Sequence, residues 1–166
     1  MILYLLRHAQ AGEHLAGRAD DARRLTLDGR KRMRQAAAGM RRLGLRFDAI
    51  LTSPLPRAAE TAAIVAKAYD GRPPPQLIEA LACRVASADA ITALTPLAAR
   101  EHVMIVGHEP QLSAVASILL TGSPERLRIQ LKKGGCLALD LSSGLEAGRA
   151  ELLWLLTQRQ LRRLRK

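Results

Sequence analysis

The sequence predicts an α/β fold, a three-layer sandwich in which a mostly parallel central sheet carries helices on both faces. Three observations predict it. Short apolar runs alternate with stretches of helical periodicity along most of the 166 residues. The clearest runs are apolar throughout rather than at every second position, the pattern of strands covered on both sides. Polar turns separate the two kinds of segment, with no internal repeat and no low-complexity linker, so residues 1–166 read as a single domain of ordinary size. In an open sheet of this kind, ligands bind at the carboxyl ends of the strands.

Residues 2–6, Ile-Leu-Tyr-Leu-Leu, make the first strand. A polar loop over 13–24 leads to a helix over 27–43, where Met33, Ala36, Ala37, Met40 and Leu43 share a face, Thr26 is the cap and Gly44 the stop. Residues 49–52 form a second strand, and 58–69 a second helix with Ala59, Ala62, Ala63, Ala66 and Tyr69 turned inward. One glycine and three prolines make 70–75 a loop, and 76–78 reads as a brief strand. Ser87 caps a helix carrying Ile91, Leu94 and Ala98. Residues 102–106 are the third clear strand, and Pro110 opens a helix that aligns Leu112, Val115, Ala116 and Leu119. Residues 136–141 and 151–156 complete the sheet, although the Leu-rich second segment also fits a helix.

Apolar residues are 48% of the chain and aromatics only 2%, so the core is aliphatic and helix-rich. No apolar run approaches the ~18–20 residues of a membrane span. The start, Met-Ile-Leu-Tyr-Leu-Leu-Arg, has neither the basic lead nor the cleavage site of a secretory signal. A cytoplasmic monomer with no membrane partner is the expectation. Cys83 and Cys136 have neither metal-type spacing nor a disulfide framework and read as ordinary reduced thiols.

A net charge of +11 draws anionic partners over long range without naming a reaction. Residues 159–166, five of eight basic, read as a solvated helix end, with steering of an acidic phosphoprotein or binding of nucleic acid as the functional alternatives. Scarce aromatics leave little for base stacking, which disfavours nucleic acid.

Three motifs follow three strands. Arg7-His8 ends the first; Thr52-Ser53-Pro54-Leu55-Pro56-Arg57 follows the second; Gly107-His108-Glu109-Pro110 follows the strand at 102–106. Each alone has an ordinary structural reading: a strand-end pair, loop punctuation before a helix, a histidine satisfied within the fold. Together they place two arginines and two histidines where a ligand binds, a constellation suited to one anion. His14 and His102 read as surface residues, and no metal-ligand cluster is evident.

The residues resemble the histidine phosphatase superfamily, which carries Arg-His-Gly or Arg-His-Ala after its first strand, Ser-Pro with a following Arg and Glu-Thr after its second, and Gly-His before a later helix. Here these are Arg7-His8-Ala9, Ser53-Pro54 with Arg57 and Glu60-Thr61, and Gly107-His108. The small size, the segment Arg24-Leu25-Thr26-Leu27-Asp28-Gly29 and the ending Leu153-Trp154-Leu155-Leu156-Thr157 with Gln160-Leu161 look most like the SixA-like phosphohistidine phosphatases. The resemblance implies a phosphoglycerate mutase-like fold and a metal-independent phosphatase with no cofactor. In it His8 is the nucleophile, and Arg7, Arg57 and a cationic His108 bind the phosphoryl oxygens.

Neighbouring cations Arg7 and Arg57 are expected to hold His8 neutral, and helix N-termini after Ser53 and Gly107 to add backbone donors. Larger members place an acid after the third strand; Glu79 is the candidate here, in surroundings that match poorly, with Glu109 a second. A weak acid position favours phosphohistidine, whose imidazole leaves easily once protonated, over a sugar phosphate or nucleotide, the alternative substrate class. A noncatalytic anion- or nucleic-acid-binding module is the reading from a different class.

Overall fold

The computed structural model describes residues 1–12 and 20–165, so most of the expected loop over 13–24, His14 included, lies outside the described residues. Among the described residues six strands form one sheet: β1 (Ile2–Arg7), β2 (Ala49–Thr52), β3 (Pro75–Leu77), β4 (His102–Gly107), β5 (Cys136–Asp140) and β6 (Glu151–Leu156). Their order is β3-β2-β4-β1-β5-β6. The first four are mutually parallel, while β5 and β6 pair antiparallel to their neighbours. This is the mostly parallel α/β sandwich that the alternation predicts.

Among the described residues five α-helices cover the sheet: α1 (Leu27–Arg42), α2 (Pro56–Ala68), α3 (Ser87–Thr92), α4 (Gln111–Thr121) and α5 (Gln158–Arg163). Successive side chains of β1 point to opposite faces and feed two cores. Tyr4 and Leu6 pack with Met33, Ala36 and Met40 of α1, Ala62 and Val65 of α2 and Leu161 of α5. Leu3 and Leu5 pack with Ala90 of α3 and Leu112, Val115 and Leu119 of α4. Thr26 caps α1 as expected, its hydroxyl accepting from Gly29 N–H at 2.9 Å.

Helix α5, which the sequence reads as a solvated helix end, is fixed at its start by reciprocal bonds between Thr157 and Gln160. Its Leu161 is fully buried, a contribution of roughly 1.5–3 kcal/mol. It sits so close to α1 that a Cβ on Gly39 would fall 1.8 Å from Leu161 O; only glycine permits that approach. Arg162 Nε donates to Gln35 Oε1 at 2.8 Å across the same seam.

Three local expectations need correction. In α2 the buried residues are Arg57, Ala58, Thr61, Ala62, Val65 and Ala66, whereas Ala63 is exposed and Ala59 half-buried. The inward face is therefore offset from the alanine stripe, because the alanines ring the helix and offer little contrast. The helix expected to carry Ile91, Leu94 and Ala98 ends at Thr92, and a 3-10 turn at Thr95–Leu97 follows. Pro96 has no N–H and disfavours helical backbone at Thr95. Ser87 is the first helical residue rather than the cap, which is Ala86.

Candidate active site

Strand order brings the three motifs together. β4 lies between β2 and β1, with Thr52 opposite Val106 and Arg7 opposite Gly107. Just beyond the strands, Ser53 N–H donates to Val106 O at 2.9 Å and His8 N–H to Gly107 O at 3.1 Å. The residues after all three strands thus share one rim of the sheet.

His8 is buried, and its ring centroid lies 5.1 Å from that of His108. Its Nδ1 stands 2.8 Å from Ala9 O. A carbonyl oxygen only accepts, so Nδ1 carries the hydrogen and the neutral ring keeps its lone pair on Nε2. The ring's pKa is lowered to about 4, chiefly by burial; the Ala9 bond opposes this, and the charges of Arg57, Arg7 and Lys133 lower it further. Burial thus outranks the cations to which the sequence reading credits the neutral state, since a charged ring in this position loses most of its water.

His108 is buried, with Nε2 2.8 Å from Ser53 Oγ, which accepts from Leu55 N–H at 3.2 Å. Arg57 is only 2% exposed and its Nη2 donates to Cys83 Sγ at 3.1 Å, so this cysteine is more than a bystander. One turn later Thr61 Oγ1 donates to Arg57 O at 2.6 Å and accepts from Ala9 N–H at 3.0 Å, fastening the residue after His8 to α2. Glu60 joins α2 to α1 through Arg30 at 2.8 Å. The first turn of α2 supplies fewer donors than expected, because Pro56 has no N–H and the amides of Ala58 and Ala59 bond Leu55 O.

A fourth segment, absent from the sequence-based site, closes over the first motif. Arg7 Nη1 donates to Leu131 O at 2.9 Å. Arg7 N–H donates to Gly135 O at 3.1 Å, and Gly134 N–H to both Arg7 O and His8 O at 3.0 Å. Gly134 has φ +69°, a left-handed backbone conformation that favours glycine in this turn. The sequence signal is Lys132-Lys133-Gly134-Gly135 directly before β5. It points to the site only once β5 is known to run antiparallel, since such a strand begins where its parallel neighbours end.

The two acidic candidates differ. Glu79 is exposed, in a 3-10 turn directly after β3. Glu109 is half-buried and accepts a short hydrogen bond from Ser113 Oγ; burial raises its carboxyl pKa, and the Ser113 bond and the Arg7 charge partly offset this. His102 lies at the opposite end of β4, 3.3 Å from the Tyr4 hydroxyl and away from the rim. Cys136 is buried inside the sheet, which pushes its thiol pKa up.

The profile of the histidine phosphatase superfamily (branch 1) matches residues 3–84. An uncharacterized protein of Picosynechococcus sp. is 36% identical over 141 residues, which are 84% of each chain. The structure of the protein histidine phosphatase SixA complexed with tungstate is similar with a TM-score of 0.83, at 20% identity over 97% of this chain and 99% of that one. The "putative phosphohistidine phosphatase SixA" of Agrobacterium tumefaciens gives 0.74 at 26% identity, covering 94% and 97%. A phosphoserine phosphatase of Entamoeba histolytica, in complex with 3-phosphoglyceric acid, shares the fold with a TM-score of 0.73 at 19% identity, covering 96% and 98%.

Proposed function

Because the chain belongs to the histidine phosphatase superfamily, we propose that it is a phosphohistidine protein phosphatase that works through a covalent phosphohistidine on His8. The observation that carries this reading is the state of His8, buried, neutral, and tied through Nδ1 so that Nε2 holds the lone pair. Nε2 attacks phosphorus in line with the leaving group. The new N–P bond forms as the bond to the substrate's imidazole breaks, and that imidazole takes up a proton. Water then attacks the phosphoenzyme, the N–P bond breaks, and inorganic phosphate leaves His8 neutral again.

Arg7, Arg57 and His108 are assigned to the equatorial oxygens, where their charge and N–H donors offset the charge of the transferring group. The buried Arg57 needs no reorganisation to do so, since Cys83 and α2 already hold it. This scheme uses no metal or cofactor. The protonated imidazole of a phosphohistidine leaves with little help, which suits a rim whose expected acid, Glu79, stands exposed.

One observation favours a second reading. Glu109 is half-buried with a raised pKa, the condition of a carboxylic acid that protonates an alkoxide, so a small phosphate monoester is the alternative substrate. Hydrolysis of a phosphohistidine protein, measured beside sugar phosphates, nucleotides and phosphoserine, separates the two. Preference for the protein supports the proposal; a clear preference for one monoester replaces it. Phosphoenzyme trapping should label the wild type and not His8→Ala, and activity surviving in that variant would refute the mechanism.

A further inference from the structure

Ser53 is fully buried directly after β2, and its backbone is held on both sides: its N–H donates to Val106 O at 2.9 Å, and its carbonyl accepts from Thr52 Oγ1 at 3.2 Å. Its hydroxyl oxygen lies 2.8 Å from Nε2 of the buried His108 and accepts from Leu55 N–H at 3.2 Å. A hydroxyl has one hydrogen to give and two lone pairs to offer. Leu55 N–H occupies one lone pair. Among the described residues, the acceptor within reach of the Ser53 hydrogen is the ring nitrogen of His108. If Nε2 carried a hydrogen of its own, it would take the second lone pair and strand the Ser53 hydrogen, and a buried donor left unmade costs more than a typical bond returns. With the hydroxyl donating instead, Ser53 is satisfied, Nε2 is bare, and the hydrogen of a neutral ring sits on Nδ1.

We propose that Ser53 is a positioning residue for the second histidine of this site: its hydroxyl donates to His108 Nε2, holds the ring neutral, and makes Nδ1–H the donor that His108 offers to a phosphoryl oxygen. The inference rests on the phosphatase reading and deepens it, and a neutral donor takes the place of the cationic His108 that the family resemblance implies. An oxyanion is repelled by a ring lone pair and bound by an N–H, so of the two neutral tautomers only this one serves. The two imidazoles, whose centroids lie 5.1 Å apart, then both carry hydrogen on Nδ1 but divide their roles. His8 gives its Nδ1 hydrogen to Ala9 O and keeps the Nε2 lone pair for phosphorus. His108 gives its Nε2 lone pair to Ser53 and keeps a donor.

The test is nitrogen NMR of the histidine rings in the full chain near neutral pH, with His108→Gln to assign the signals, alongside calorimetry of inorganic phosphate binding. Wild-type His108 should show a protonated Nδ1 and a bare Nε2. In Ser53→Ala the hydrogen should move to Nε2 in a large share of molecules, and phosphate binding should weaken roughly five- to tenfold, the loss of one hydrogen bond. Ser53→Thr keeps the hydroxyl and should restore the wild-type signals. Thr52→Val, which removes a hydroxyl bonded to the Ser53 carbonyl, should leave the His108 signals in place. A free wild type whose His108 carries hydrogen on Nε2, alone or on both nitrogens, overturns the proposal. Weaker phosphate binding in Ser53→Ala with the His108 signals unmoved overturns it equally, because the hydroxyl would then act only on the structure. The wild-type spectrum decides the tautomer by itself, so a variant that fails to fold leaves the proposal falsifiable. A wild type with this tautomer that binds no phosphate removes the phosphatase reading and leaves the Ser53–His108 bond standing.

Discussion

Replacing His8 with glutamine should flatten the acid side of the stability profile. An exposed histidine titrates near 6.5, whereas folding lowers His8 to about 4. The unfolded chain therefore binds a proton in this window that the folded chain refuses, and stability falls as pH drops from 6.5 toward 4. Above 6.5 the ring is neutral in both states and the full stability is present. Linkage with these two values gives a loss of about 2 kcal/mol between about pH 7.5 and about pH 5, and about 3 kcal/mol once both states are protonated. Because His8 is buried, no large discount for solvent screening applies. Urea unfolding of the wild type and His8→Gln at the two pH values isolates this contribution, since the remaining groups are common to both proteins. The wild type should lose about 2 kcal/mol more than the variant. Equal losses in the two proteins, or a larger one in the variant, would refute the neutral buried imidazole and with it the assigned nucleophile.

Three further outcomes follow from contacts elsewhere. Gly39→Ala sets a methyl group against the backbone of Leu161 and should cost about 1–3 kcal/mol in urea unfolding, because neither helix can yield without opening the α1–α5 seam. Thr61→Val keeps the shape but strands the Ala9 amide without its acceptor; a loss of about 1–3 kcal/mol is expected, with slower phosphate release in steady-state assays as the residue after His8 loosens. Arg57→Lys keeps the charge and loses the planar fork held by Cys83, so kcat/KM for phosphate release should fall by roughly a hundredfold or more while unfolding stays cooperative.

Much of this architecture was legible because it rests on local patterns. The apolar runs that became β1, β2 and β4 needed no partner to declare themselves, and Met33, Ala36, Ala37 and Met40 give α1 a face that only one packing satisfies. The inward side of α2 was not legible. Its alanines surround the helix, and the orientation follows from Arg57 turning into the rim, which no hydrophobic pattern announces. The packing of helix α5 was hidden for a related reason: a single buried Leu161 among arginines reads as a solvated helix end until Gly39 is seen beneath it.

By itself the sequence determined the alternating order of strands and helices and the placement of Arg7-His8, Ser53 with Arg57, and Gly107-His108 directly after strands, because these depend on residues adjacent in the chain. Only the tertiary structure decided that β4 inserts between β1 and β2, which sets the three motifs on one rim. It also decided that β5 runs antiparallel, which carries Gly134 to the same rim. The charge state of His8 belongs to this second group. Its imidazole is ordinary in the unfolded chain, and what holds it neutral is first the loss of water on burial and then cations, Arg57 and Lys133 from distant segments and Arg7 beside it.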